Sequence, residues 1–291
     1  MNNYKILFRN VIVVLIAVCF FAGMANAVEL KFTAIPDQDT ARLQQRFGKI
    51  ADYLTEKLGF KVTYVPVKSY GASVQAFKNN EVQLAWFGGL SGVQARLAVP
   101  GSKAIAQGVE DEHFISYFIA HHSTGLAKEA KFPQAIVGKT FTFGSKGSTS
   151  GRLMPEYFIR EHLGKSPKDV FRRVGFSGDH SKTIALVQAG SYEVGAVNYK
   201  VWEKEVDAGK VDPSKVSVIW QTPEYPDYNW TVRGDVDDAY GVGTIAKIQQ
   251  ALVGITDPAL LGAFPRKRFI EADNSMYEPI LSTGKAIGIF R

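Results

Sequence analysis

Residues 82–87, Val-Gln-Leu-Ala-Trp-Phe, form an almost unbroken apolar run that stops at Gly88-Gly89 and passes into a helical pattern over Leu90 to Leu97. A strand of this composition is buried on both faces, which calls for a largely parallel sheet covered by helices. The neighbouring segments agree. Leu30 to Ile35 reads as a strand that turns at Pro36-Asp37, and Leu43, Phe47, Ile50, Leu54 and Leu58 then recur at helical spacing until Gly59. Lys61 to Val67 and Lys103 to Gln107 read as further strands, with a short helix from Tyr70 to Phe77 between them. Phe114 to His121 is a strand with no helix of its own.

The alternation then restarts. Thr140 to Phe143 is a strand, a glycine-rich turn follows, and a helix runs from Gly151 to Leu163. Strand Val170 to Val174, helix Ser181 to Ala189 and strand Val194 to Asn198 continue it, and Val216 to Gln221 reads as a return crossing. The tail carries helices near 243–254 and 258–262 and another from Ser275. Two rounds of strand and helix predict two α/β lobes, one from 28–120 plus 224–291 and an inserted one from 121–223. Each lobe is expected to be a mixed sheet flanked by helices, with a ligand cleft between them. One continuous α/β domain is the alternative.

Residues 1–27 read as an export signal: Lys5 and Arg9, an uncharged stretch from Val11 to Met24, then Ala25-Asn26-Ala27 as the cleavage pattern. The stretch is shorter than the roughly 20 residues of a bilayer span. Cys19, the single cysteine, lies inside it between Val18 and Phe20, a poor setting for lipid attachment. A chain cleaved after Ala27 has no cysteine, which removes disulfides, thiolate catalysis and cysteine zinc sites, and fits a periplasmic location. The net charge of +6 includes two cations of the signal and implies only mild basicity. No run of Lys or Arg interleaved with aromatics points to nucleic acid.

The segment with most chemical content is Gly144-Ser145-Lys146-Gly147-Ser148-Thr149-Ser150-Gly151, between a strand and a helix. Three hydroxyls meet a helix start whose first N–H groups lack internal partners, so the segment suits an anion. Ordinary helix capping by serine or threonine is the competing reading. The GxxxxGK[ST] order of a nucleotide loop is absent. Ser148 or Ser150 with His180 and an aspartate can be drawn as a hydrolytic triad, but the GxSxG elbow is missing. His121-His122 is not HExxH, and adjacent strand residues point to opposite faces. Neither catalytic nor metal-binding residues are therefore assigned, no cofactor is expected, and the chain is read as a binder rather than an enzyme.

Taken together, Pro66-Val67-Lys68-Ser69-Tyr70-Gly71-Ala72, Leu84-Ala85-Trp86-Phe87-Gly88, Gly147-Ser148-Thr149-Ser150-Gly151, and Gly178-Asp179-His180 leading to Gly195-Ala196-Val197-Asn198 resemble the phosphate/phosphite/phosphonate-binding periplasmic proteins of ABC importers. Ala34-Ile35-Pro36-Asp37-Gln38-Asp39 and Gly88-Gly89-Leu90 look most like a branch that carries a selenate-binding label. The resemblance implies the two-lobed type II periplasmic binding protein fold, a small tetrahedral oxyanion as ligand, hinge closure, a monomer, and an inner-membrane ABC permease as partner. A sensor that presents its closed form to a membrane receptor is the alternative. It further implies that Ser148, Thr149 and Ser150 hold the oxyanion and that Tyr70 reaches it from the opposite lobe.

Phe87 is placed as an apolar wall of the cleft or as core, and His180 as a donor to the oxyanion or a helix-start bond with Asp179 as cap. Asn198 is placed at a strand end beside the ligand, where aminophosphonate binders are expected to carry an acid, so a ligand without an amine is favoured. Asp37 and Asp39 are expected to turn away from the anion or to cap the first helix. Trp202, Trp220, Tyr225, Tyr228 and Trp230 are expected to pack around the return crossing, or to line the cleft.

Overall fold

The computed structural model describes residues 29–38 and 40–290. The export signal with Cys19, and Asp39, lie outside the described residues. Among the described residues, no helix is long and apolar enough to cross a membrane.

Two mixed sheets form two lobes. The first has six strands, in spatial order Phe269–Glu271 (β11), Lys103–Gly108 (β4), Asn229–Val232 (β10), Leu84–Phe87 (β3), Glu29–Ala34 (β1) and Lys61–Tyr64 (β2). The second has five, in the order Arg173–Phe176 (β7), Thr140–Phe143 (β6), Val194–Asn198 (β8), Ser116–His121 (β5) and Val216–Gln221 (β9). β1 pairs parallel with β2 and β3, and β6 with β7 and β8, each joined through a crossover helix as parallel pairing demands. All four residues of β3 are buried, as their apolar run predicts.

The strands next to the crossings are antiparallel. β5 lies between β8 and β9, and β10 lies between β3 and β4. This corrects two expectations. β5 belongs wholly to the second sheet, so a division at 120/121 cuts a strand, and the outward crossing lies before Ser116. β9 is an edge strand of that sheet, so the return crossing is 222–228 rather than Val216–Gln221. A third difference is local: Pro167 starts a helical turn, Pro167–Val170, which displaces β7 from the expected Val170–Val174 to Arg173–Phe176.

β10 was not predicted, because Asn229-Trp230-Thr231-Val232 alternates polar and apolar over only four residues, at the short limit of a strand signal. Its Asn229 and Thr231 are buried, and the Arg96 guanidinium donates to both, Nη1 to Asn229 Oδ1 at 3.1 Å and to Thr231 Oγ1 at 2.8 Å. The five aromatics expected around the crossing are divided between the lobes. Trp220 packs on Phe118, Phe132 and Phe158, whereas Tyr228 stacks on Trp86 and Trp230 packs on Phe32, Trp86 and Phe264.

The two crossings form a short ribbon. Phe114 and Tyr225 exchange main-chain hydrogen bonds of 3.0 and 2.9 Å, and Asp227 N–H donates to Asp111 C=O at 2.9 Å. Asp111 and Arg266 anchor this ribbon to the first lobe through a buried bidentate pair, Nε to Oδ2 at 2.8 Å and Nη2 to Oδ1 at 2.6 Å. The guanidinium also lies over the rings of Phe114 and Tyr228. A Cβ at Gly108 would come within 2.5 Å of Asp111 Oδ2, so glycine is required beside the pair. Arg266→Met is expected to cost about 3–5 kcal/mol in urea unfolding, because Asp111 stays buried without its countercharge. Adding Asp111→Leu is expected to recover part of that loss.

Candidate functional site

The loop after β6 enters its helix through a wide turn. Thr149–Leu153 is π-helical before the α-helix Met154–Leu163 begins, a form of turn frequent at functional sites. Ser148 caps it, accepting the Gly151 N–H at 2.9 Å. The N–H groups of Thr149 and Ser150 precede the first intrahelical acceptor. Gly144 N–H donates to Gly151 C=O at 2.8 Å, and a Cβ on Gly151 would stand 3.2 Å from the Gly144 Cα. A Cβ on Gly151 would lie 2.9 Å from His180 Cε1 and 3.0 Å from Ser148 Oγ. Glycine at 151 thus lets the imidazole lie directly against the loop.

His180 is fully buried at the start of the helix His180–Gln188, and Asp179, whose Oδ1 accepts the Lys182 N–H at 2.8 Å, is the cap of that helix. Burial alone pushes the His180 pKa down to about 3, so the ring is neutral. Its Nδ1 accepts the Asn198 main-chain N–H at 3.2 Å. A neutral ring that accepts at Nδ1 must carry its hydrogen on Nε2. Nε2–H is thereby a fixed donor.

Ser150 is held from the hinge. Ser116 Oγ donates to Ser150 C=O at 2.7 Å and also contacts Tyr225 Oη. Ser116 has one hydroxyl hydrogen, so Tyr225 must donate to Ser116.

The first lobe closes over this loop. Tyr70 begins the helix Tyr70–Lys78, and its Cβ lies 3.0 Å from where a Cβ on Gly147 would stand. Leu90 N–H donates to Thr149 Oγ1 across the lobes at 3.0 Å. Asp227, from the return crossing, accepts the Gly89 N–H on Oδ1 at 2.9 Å. Its carboxyl pKa is raised to about 7 by burial, opposed by hydrogen bonds from Thr149 and the Gly89 N–H. Burial holds the Tyr70 phenol well above its usual range, and the carboxylates of Asp37 and Asp227 add to this. It remains a neutral O–H donor.

Among the described residues, seven buried side-chain polar atoms lack a well-formed hydrogen-bond partner, and four of them belong to residues bordering the 147–151 loop. They are Tyr70 Oη, Ser150 Oγ, His180 Nε2 and Asp227 Oδ2. The structure therefore brings Tyr70, Ser148, Thr149, Ser150 and His180 together, with Ser148 and Thr149 already engaged in a cap and an interlobe bond. Phe87 packs edge-on against Phe77, ring centroids 5.6 Å apart, within the first lobe's core.

Asn198 has most of its side chain engaged elsewhere. Its Oδ1 caps the helix Tyr199–Asp207 through Lys200 N and Val201 N, and Nδ2 donates to Tyr228 Oη at 2.9 Å. Asp37 stands just before the first helix, whose opening residues lie outside the described side chains. It is buried, and Tyr228 Oη donates to its Oδ2 at 2.9 Å.

Sequence reading missed Asp227, a buried acid that takes a hydrogen bond from Thr149 of the loop. Its signal was an aspartate set between aromatics in Tyr225-Pro226-Asp227-Tyr228, at a crossing whose position was itself misplaced. Ser150→Ala is expected to weaken oxyanion binding by about 1–3 kcal/mol in calorimetry. Gly151→Ala is expected to weaken it more, since the added methyl displaces both the His180 ring and Ser148.

A family model described as ABC transporter, phosphonate, periplasmic substrate-binding protein matches residues 32–277. The chain is 37% identical over 274 residues to a probable ABC transporter phosphite binding protein, PhnD1, of Prochlorococcus marinus, covering 92% of each chain. The solved structure of that PhnD1 in complex with methylphosphonate superposes with a TM-score of 0.85 at 38% identity, covering 91% of this chain and 100% of the other. The phosphate-import protein PhnD of Mycolicibacterium smegmatis is 26% identical over 259 residues, covering 84% of this chain and 76% of its own. The chain therefore belongs to the phosphonate-type periplasmic substrate-binding proteins of ABC transporters.

Proposed function

We propose that this protein, exported and cleaved after Ala27, carries a small monoprotonated phosphorus oxyanion, methylphosphonate or phosphite, to an ABC permease in the inner membrane. The observation that carries the reading is the composition of the orphaned set: three neutral donors and one carboxylate acceptor. Tyr70, Ser150 and His180 donate to three acceptor oxygens or lone pairs, with the Thr149 and Ser150 N–H groups beside them. Asp227 Oδ2 accepts, and a ligand that keeps one acidic O–H meets that acceptor with its own proton. Sulfate and selenate bring no such proton near neutrality, so they either require Asp227 to be protonated first or set a bare dianion against its carboxylate. The names of the relatives speak for phosphorus oxyanions and give neither selenate nor a receptor-coupled sensor any support.

Binding, orientation and closure are the whole of the mechanism in this reading, with no bond made or broken. The oxyanion settles on the loop of the second lobe, and Tyr70 and Asp227 of the first lobe then meet it. Contacts that exist only in the closed form shift the population toward closure. The four orphaned atoms are all buried, so the closed cleft surrounds its ligand on every side and favours the smallest substituents.

A calorimetric panel is expected to rank methylphosphonate and phosphite at least about tenfold above sulfate and selenate, a difference of roughly 1.4 kcal/mol. Equal affinity for sulfate would refute the proton-sharing reading. The pH dependence has a definite sign. The complex keeps one proton between Asp227, which titrates at about 7, and the ligand. Above that pH both partners have lost it, so affinity is expected to fall as pH rises from 7 to 9. His180 stays neutral throughout and contributes no step near pH 6.5. Asp227→Asn is expected to erase most of the preference over sulfate.

A further inference from the structure

The hydrogen bonds that cross between the lobes include a closed ring that involves no ligand-facing atom. Asp37 and Tyr228 stand on the first lobe, where Tyr228 is held by stacking on Trp86 with centroids 5.5 Å apart. His180 and Asn198 stand on the second. His180 N–H donates to Asp37 C=O at 3.1 Å, and Asn198 Nδ2 donates to Tyr228 Oη at 2.9 Å. Tyr228 Oη donates onward to Asp37 Oδ2 at 2.9 Å, and Asn198 N–H donates to His180 Nδ1 at 3.2 Å. All four residues are buried.

The direction of every bond in the ring is determined. Asn198 Oδ1 is committed to the N–H groups of Lys200 and Val201, so only Nδ2 can face Tyr228. A carboxylate only accepts, so the single Tyr228 hydroxyl hydrogen goes to Asp37, and its lone pair receives Asn198. No member can be reversed without leaving a buried donor or acceptor unpaired. Two of the four bonds cross the lobes, and both join the strand end and helix start that position the His180 ring.

We infer that Asp37, Tyr228 and Asn198 form an interlobe latch, positioning residues that stabilise the closed form and set ligand residence time without touching the ligand. Opening the cleft breaks the two crossing bonds, and closing remakes them in a dry site. The bonds are remade only after the lobes meet. The latch therefore acts on dissociation and leaves the encounter alone. The inference rests on the hinge-closure reading above, though not on which oxyanion is bound.

The test uses the full mature chain with Tyr228→Phe, Asp37→Ala and the double variant. Stopped-flow dissociation of methylphosphonate is expected to be about two- to tenfold faster in each single variant, with association changed by less than about twofold. The double variant should be no faster than Tyr228→Phe alone, because the Asp37 side chain enters the ring only through the Tyr228 hydroxyl. Hydrogen exchange of the His180 and Asn198 amides in the methylphosphonate-bound variants should rise above bound wild type, while other amides of the second lobe keep theirs. Unchanged dissociation and exchange, or additive effects in the double variant, would overturn the latch. If wild type failed to bind methylphosphonate, the ligand reading would fall, and the same rates and exchange taken with phosphite, phosphate or sulfate, whichever binds, would decide the latch.

Discussion

The antiparallel pairing of the two crossing segments, Phe114 with Tyr225 and Asp111 with Asp227, is the constraint on which the rest of the structure depends. It holds the lobes in one register while leaving them a ribbon on which to turn. It delivers Asp227 to the anion loop, Tyr228 to the interface, and Tyr225 to the Ser116 hydroxyl that supports Ser150. The Asp111–Arg266 pair fastens the ribbon to the first lobe. A buried pair of this kind adds little net stability over an apolar substitute. What it adds is position: with Arg266 packed on Phe114 and Tyr228, the ribbon has one seat.

The electrostatics of the site follow from its dryness. No lysine or arginine is among the orphaned groups at the loop. Arg152, next to the loop, is tied to Glu156, and Lys146 is exposed beside the Phe176 ring. Lys68, Lys146 and Lys182 instead line the outer mouth of the cleft, a cavity of about 530 Å³. Cations there raise the local anion concentration without being desolvated, whereas a buried cation would carry a large desolvation cost. Inside, the donors left without partners are the Tyr70 and Ser150 hydroxyls and the neutral His180 imidazole, dipoles rather than full charges. Burial keeps them neutral, pushing His180 down and Tyr70 up. The same burial raises Asp227, so one environment produces both the donors and a carboxyl poised near neutrality.

Much of this was legible in the chain, for reasons that differ from element to element. The apolar run ending at Phe87, the strand Thr140–Phe143 and the strand Val194–Asn198 were read because a strand buried on both faces has a composition of its own. Ser148-Thr149-Ser150 stood out because helix starts have unpaired N–H groups wherever they occur. β10 was invisible: its polar Asn229 and Thr231 are buried only because Arg96, far off in sequence, reaches them. The sheet to which β5 belongs was misjudged because pairing partners, not local pattern, decide membership.

Local chemistry in the sequence determined the alternation of strand and helix, the two rounds of it, and the run of hydroxyls at the start of the helix after β6. Only the tertiary structure decided that Asp227 lies beside Thr149, which tautomer His180 holds, and what the side chains of Asn198 and Asp37 bond to. Periodicity and capping act over a few residues and leave their mark on adjacent positions. Hydrogen-bond direction, burial and pKa depend on groups brought together from Asp37, His180, Asn198 and Tyr228, and no spacing along the chain records that meeting.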